Sequence, residues 1–370
     1  MKILRRMVFR EFFGIFFAAL AALTGIFVLV DFFDRVQRYV GEGGAPVSLL
    51  LVYLAYKLPQ VVYDITPLNL PLAALITLGL LNRRREIMAM RAAGIPVRAA
   101  MRPVFFFALL VGAALFCMGE FVLPGSNTRQ EITRVRIKQF KKNRDAAVKG
   151  KKLETPGRTV SGWYRGAGGI YFLQEYRIEK KEIINFVVLE VGEDFKVTRR
   201  LEAQNARWDG DEWVGEGVVV RNFSPEGEVT VSHHKIITVN IPETAEDLER
   251  MKKDPKETGF FDLALYISAL EGGGSDMRSF KVDLWAKVSY PLSGLILLVL
   301  AVPLGLKSGQ GAGVAGGIVW SLLICLSYYE FFAWTLSLGR GGVIQNPLIA
   351  AWIAPVLFGI AALPIYFRSN

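Results

Sequence analysis

Among the charged side chains inside, or at the rims of, apolar runs long enough to cross a membrane are Arg35, Lys57, Asp64, Lys287 and Glu330. A charge is costly in hydrocarbon, so such residues face a partner, a cavity or the aqueous boundary. Counted at 1.5 Å per residue from the basic end of each run, Arg35, Lys57 and Lys287 come out roughly 30 to 36 Å along it, and Asp64 and Glu330 roughly 24 to 26 Å. Three cations at one height suit an anionic headgroup, because guanidinium and ammonium groups are the natural partners of phosphate. They equally suit snorkelling anchors whose stems lie in the bilayer. Covalent chemistry has less support. The chain contains no GxxxxGK[ST] loop, no GxSxG and no HExxH. His233 and His234 are neighbours on a strand-like stretch, so their rings point to opposite faces and do not converge on one metal. The best enzymatic alternative is an intramembrane transferase acting on a lipid carrier, with Asp64 or Glu330 as base.

The elements that must position these charges follow from run length. The chain is 52% hydrophobic, and a bilayer core of about 30 Å needs about 20 apolar residues per helix. Six segments qualify, at about 12–33, 49–81, 101–123, 281–306, 314–337 and 346–367. The first has too long an apolar run for a signal peptide and no small-residue cleavage site, so it reads as a retained span. Pro59, Pro67 and Pro71 predict kinks in the outer half of span 2.

Basic residues set the orientation. Lys2, Arg5, Arg6 and Arg10 precede span 1, Arg83 to Arg102 carry six arginines between spans 2 and 3, Lys307 follows span 4 and Arg368 follows span 6. All fall on one side if there are six spans, which puts both termini in the cytoplasm and residues 124–258 outside it. The net charge of +10 mostly records this bias, and nucleic-acid binding is not expected. Cys117 and Cys325 both lie within spans, so the exported segment has no disulfide framework.

The exported segment reads as β. Thr159–Tyr164, Gly169–Tyr176, Ile183–Val191, Lys196–Asn205, Glu212–Phe223 and Val229–Ile241 are rich in Val, Ile, Tyr, Phe and Trp, with turn signals at Asp209-Gly210 and Pro225-Glu226-Gly227. A sandwich or jelly roll with its own core is expected, with Trp163, Trp208 and Trp213 in core or rim packing. Arg129–Lys152 reads as a helical extension of span 3 that turns polar, and Phe260–Leu270 as a short interfacial helix ended by Gly272-Gly273-Gly274. The fold class is therefore six transmembrane helices plus an all-β, jelly-roll-like domain inserted between helices 3 and 4, in blocks 1–123, 124–258 and 259–370.

Between spans 2 and 3, Asn82 to Pro96 opens on a capping residue, runs through good helix formers and closes on Gly94 then Pro96. Ile87, Met90 and Gly94 fall on one stripe with Glu86 on its flank. Such a helix offers apolar knobs beside charges to a cytoplasmic partner, or rests on lipid headgroups as an amphipathic connector.

Several stretches occur in an order that resembles the lipopolysaccharide-export permease family, the paired LptF and LptG subunits, with the greater likeness to the LptG branch. They are Val30-Asp31-Phe32-Phe33-Asp34-Arg35, Pro59 through Pro67 to Leu70-Pro71-Leu72-Ala73-Ala74-Leu75, and Arg85 through Gly94. Gly119-Glu120-Phe121-Val122-Leu123-Pro124, Ala203 to Trp213, and Leu284-Trp285-Ala286-Lys287 with Pro291-Leu292 complete the set. The resemblance implies a subunit that pairs with an LptF-like permease above a dimer of an LptB-like cytoplasmic ATPase. It implies extraction of lipopolysaccharide from the outer leaflet of the inner membrane and delivery to a periplasmic bridge of LptC- and LptA-like jelly rolls. ATP and Mg2+ would be used by the ATPase, and this chain would bind no cofactor. The Arg83–Gly94 helix matches the family's coupling helix, with Glu86 in the contact position among Arg85, Met90, Arg91 and Gly94. Arg35, aided by Arg38, falls where the family's basic residues engage lipid phosphates, joined on height by Lys57 and Lys287. Familiar members carry two adjacent lysines there, whereas this chain has Asp34 before Arg35. A permease of another lipid- or lipoprotein-handling ABC system is the alternative from the same class.

Overall fold

The computed structural model describes residues 2–148, 159–166, 169–177, 180–192, 196–224, 228–239, 257–271, 277–308 and 313–368. Three helices precede the β region as spans: α1 (Lys2–Arg35), α2 (Val47–Arg83) and α4 (Val97–Phe121), with the short α3 (Glu86–Ala92) between the last two. α5 (Leu123–Val148) leads to strands β1 (Thr159–Gly166), β2 (Gly169–Arg177), β3 (Glu182–Val191), β4 (Val197–Trp208), β5 (Trp213–Phe223) and β6 (Val229–Val239). α6 (Phe260–Glu271) then precedes three more spans, α7 (Arg278–Ser308), α8 (Gly313–Arg340) and α9 (Pro347–Arg368). Among the described residues, six helices are thus long and apolar enough to cross a membrane. The turn at Pro225-Glu226-Gly227 and the stop at Gly272-Gly273-Gly274 lie outside the described residues.

Span 1 is longer than its apolar run. It continues past Val30 to Arg35 and then as a π-helical turn, Val36–Gly41. The physical cause is charge spacing: Asp31 with Arg35 and Asp34 with Arg38 are i,i+4 pairs that favour helix.

α2 is the central helix, buried from Leu50 to Leu81 on successive faces, as a helix apolar all round should be. It is helical without interruption across Pro59, Pro67 and Pro71. Tyr290 on α7 donates from its hydroxyl to the Asp64 carbonyl at 2.9 Å, in the turn that Pro67 disturbs. α7 approaches α2 closely: a Cβ on Gly294 would meet Leu70 Cδ1 at 2.7 Å and the Pro67 Cα at 3.1 Å. Asn69 donates its side-chain amide to the Phe16 carbonyl at 2.8 Å, tying α1 to α2 inside the bundle. Phe107 of α4 packs its ring against Phe9, Phe12, Phe13 and Phe16 of α1 with centroids 5.3 to 5.9 Å apart.

The β unit is one antiparallel sheet in the order β1-β2-β3-β4-β5-β6. Its inward residues do not keep a simple period of two. Leu173 to Tyr176, Ile183 to Phe186 and Ala203 to Ala206 are each three apart, an offset that should send side chains to opposite faces. All six are nevertheless in one buried cluster. The row Gln174, Asn185, Gln204, Gly217 runs across these strands at the break, with Asn185 at φ 49° and Gly217 at φ 63°, and Asn185 donates to Gln174 at 2.7 Å. Left-handed residues there bend the sheet so that both halves turn apolar side chains into the same core. The expected jelly-roll-like core is therefore made by bending one sheet. Trp213 is fully buried and meets Tyr176 edge-on at 6.0 Å and Trp208 at 5.3 Å. His233 and His234 lie on exposed β6 positions, and no cluster of metal-ligating side chains occurs among the described residues.

Candidate functional site

Two places in the helical unit, at opposite ends of α1, gather several of the residues singled out by the sequence; Asp64 on α2, Lys287 on α7 and Glu330 on α8 lie in neither. At the C-terminal end of α1, the Asp31 carboxylate is shared between two helices. Oδ2 accepts from Arg35 Nε at 2.9 Å along α1, and Oδ1 accepts from Lys57 Nζ of α2 at 2.8 Å. The three side chains are 12%, 19% and 17% exposed, Asp31 first and Lys57 last. Aromatic rings cover the other sides of the cations. The Arg35 guanidinium lies 5.0 Å from the centre of the Tyr53 ring and the Lys57 ammonium 5.0 Å from that of Phe27, within cation–π range. Arg35 Nη1 also donates to the Tyr39 hydroxyl at 3.3 Å, and Gln130 of α5 donates to the Tyr53 hydroxyl at 3.1 Å.

The structure therefore joins Arg35 and Lys57 through a residue that had no assigned role. The signal was available in part: Asp31 and Arg35 are four apart, the spacing of a helical ion pair. Lys57 as the third member depends on how α1 packs on α2. Arg38 goes elsewhere, to Asp34 at 3.1 Å in a pair more than half exposed. Lys287 is half-buried on α7, one turn before Tyr290.

An apolar groove begins where these charges end. A cavity of about 450 Å³ lies between α1 and α2, lined by Phe17, Leu20, Thr24, Val28, Leu58 and Val62 among others. Val28 is one turn before Asp31, and Leu58 follows Lys57. Thr24 Oγ1 is sealed in this region without a hydrogen-bond partner among the described residues. Two cations over an apolar groove match an amphiphile with an anionic head and hydrocarbon tails.

At the other end, α3 is seated by the residues expected to face outward. Ile87 and Met90 are 3% and 4% exposed and pack in one cluster with Val8 of α1, Leu81 of α2 and Met101 of α4. This corrects their reading as knobs offered to a partner: burying them against three spans gives the short helix the packing it needs, since seven residues are too few to hold alone. The outward face is Arg85, Met88, Ala89, Arg91 and Ala92, with Met88 66% exposed. Gly94 is the helix stop, at φ 69°, with Ile95 donating back to the Met90 carbonyl at 2.9 Å as in a Schellman motif. Glycine is favoured there by the left-handed backbone and not by crowding, since a Cβ would meet nothing within 4 Å. Arg85 takes a left-handed conformation, φ 62°, at the N-cap, and Glu86 Oε2 is sealed without a hydrogen-bond partner among the described residues. Beside it Arg84 pairs with Glu11 of α1 at 2.8 Å, and Arg5 donates to the Ala99 carbonyl at 3.0 Å. α1 is thus tied to the α3 region at one end and carries the Asp31 cluster at the other.

Residues 6–368 match the model of the family described as lipopolysaccharide export system permease LptF/LptG. The chain is 22% identical to the lipopolysaccharide export system permease protein LptG of Haemophilus influenzae, over 97% of this chain and 96% of that protein. It is likewise 22% identical to LptG of Escherichia coli K12, over 95% and 93%. It is 32% identical to the lipopolysaccharide export system permease protein LptF of E. coli K12 over 117 residues, 30% of this chain and 31% of that protein.

Proposed function

The chain belongs to the lipopolysaccharide export system permease LptF/LptG family, and from that membership we propose an LptG-like subunit that takes lipopolysaccharide from the outer leaflet of the inner membrane. In this reading the α1 N-terminus, α3 and the end of α9 are cytoplasmic, and the β unit is periplasmic. A second, LptF-like permease completes the membrane part. A dimer of a cytoplasmic ATPase docks on the outward face of α3 and uses ATP and Mg2+; periplasmic jelly-roll proteins receive the lipid.

The observation that carries the substrate class is the pairing of Arg35 and Lys57 above the groove between α1 and α2. A phosphorylated headgroup is recognised by the cations, and its acyl chains lie along Leu20, Val28 and Leu58. Mechanically, α1 is one helix from Lys2 to Arg35, so Glu11 and Asp31, twenty residues apart, are separated by about 30 Å of rigid helix. A movement of α3 passes through the Arg84–Glu11 pair into α1 and reaches the groove at its far end. The chain supplies binding and motion, and the chemical energy comes from the ATPase.

The test is photo-crosslinking in the assembled complex, with the probe replacing Val28 or Leu58. Lipopolysaccharide should be captured in the absence of nucleotide and lost on ATP hydrolysis. Capture of bulk phospholipid alone, unaffected by ATP, would rule the reading out.

A further inference from the structure

We propose that Asp31 determines the headgroup specificity of the α1–α2 site: its carboxylate stands where a ligand phosphate would sit between Arg35 and Lys57, and a phosphomonoester displaces it where a phosphodiester does not. This rests on the reading of Arg35 and Lys57 as headgroup cations.

The geometry supports an exchange. Each Asp31 oxygen takes one cation, at 2.9 and 2.8 Å, which is how two oxygens of a phosphate would engage the same donors. The rings of Tyr53 and Phe27 cover other sides of the two cations, and Tyr39 takes Arg35 Nη1. A ligand that kept Asp31 in place would put its phosphate beside a carboxylate that is only 12% exposed, where like charges repel with little screening.

Charge then decides between headgroups. Arg35, Lys57 and Asp31 sum to +1. A phosphodiester carries one negative charge, so replacing Asp31 with it exchanges one monoanion for another and gains nothing electrostatic. A phosphomonoester carries between one and two negative charges near neutral pH, so the same exchange comes close to neutralising both cations. Bulk glycerophospholipids such as phosphatidylglycerol are phosphodiesters. Asp31 would thus bar them from a site that two bare cations would open to any anionic lipid. The exchange also has a mechanical consequence, because the Asp31–Lys57 bond ties α1 to α2 beside Val28 and Leu58 of the groove. Displacing it frees the mouth for the tails of the ligand that made the displacement. The neighbouring Asp34–Arg38 pair, more than half exposed, lacks the burial needed for such discrimination.

The experiment uses the full transporter complex in phosphatidylglycerol-containing nanodiscs, with a photo-crosslinker replacing Leu58. Probes are a lipid A carrying phosphomonoesters and the same lipid dephosphorylated. Wild type should capture the phosphorylated lipid in preference to phosphatidylglycerol. Asp31→Asn should raise phosphatidylglycerol capture roughly three- to tenfold, as removal of one unit charge beside the ligand implies, and so erode the ratio. Asp31→Glu should keep it. Should Asp31→Asn not assemble, the charge-balanced Asp31→Asn/Lys57→Gln pair serves, and it too should lower the ratio. A ratio unchanged in an assembled Asp31→Asn or double variant overturns the proposal and leaves Asp31 a brace between helices. Wild-type capture indifferent to the lipid's phosphates overturns the underlying cation reading instead. Inorganic phosphate should compete only weakly; strong competition without capture of the phosphorylated lipid would assign the site to free phosphate and overturn the proposal.

Discussion

Met88 and Met90 lie two residues apart on α3 and should have opposite phenotypes. Met88 is 66% exposed and Met90 4%. Fully burying a Met side chain is worth about 1.5 to 3 kcal/mol. If docking of the ATPase covers the exposed two-thirds of Met88, truncation to alanine forfeits about 1 to 2 kcal/mol, a roughly five- to thirtyfold weaker ATPase complex. Because two-thirds of that side chain is exposed in the permease, thermal stability should move little. Met90→Ala instead opens a cavity among Val8, Leu81 and Met101, at about 2 to 5 kcal/mol of local stability, and affects docking only through loss of the helix. The assay is titration of purified ATPase onto the permease pair in nanodiscs, alongside a thermal melt of the permeases alone. If Met90→Ala weakened docking more than Met88→Ala at unchanged stability, the assignment of inward and outward faces would be wrong.

Three further outcomes follow from named contacts. Charge reversal at Glu11 or Arg84 should lower lipid release per ATP severalfold without loss of ATPase binding, and the double reversal should restore much of it; purely additive losses would show that the 2.8 Å pair transmits nothing. The Glu120 carboxylate accepts from the amides of Phe260 and Phe261 and so caps α6; Glu120→Gln should cost about 1 kcal/mol and speed hydrogen exchange over residues 260–267, and unchanged exchange would exclude a capping role. Gly217 sits at φ 63° with a Cβ position 3.0 Å from the Gln204 side chain; Gly217→Val should destabilise the β unit by more than 1 kcal/mol, whereas Asn185→Gly at φ 49° should be near neutral, as thermal melts of the full chain would report.

Much of this architecture was legible because it depends on local signals. The six spans follow from run length, and their observed ends fall within a few residues of the apolar boundaries except in α1, which starts ten residues earlier, at Lys2, and runs on beyond Arg35 as a π-helical turn where its i,i+4 ion pairs favour helix. The strand segments follow from β-branched and aromatic runs between turn residues, whereas their number and their order in the sheet come from the structure alone. What stayed hidden depends on distance in sequence. Lys57 meets Asp31 across 26 residues and Glu120 caps a helix 140 residues away, and neither is set by local spacing. The stripe Ile87–Met90 was recognised as apolar, but pattern alone cannot tell a face that seats a helix from one that docks a partner. Gln174, Asn185 and Gln204 give no sign of the break in the sequence, because polar residues in a strand read as outward positions, whereas here they mark where the strands change face.

The role of the Arg35 and Lys57 pair is read out by ATP-driven transfer of lipopolysaccharide from proteoliposomes containing the assembled complex, wild type against Arg35→Gln/Lys57→Gln. The variant should keep ATP hydrolysis and subunit assembly but lose most transfer, since the headgroup no longer has its paired cations. Transfer at the wild-type rate by an assembled variant would contradict that role.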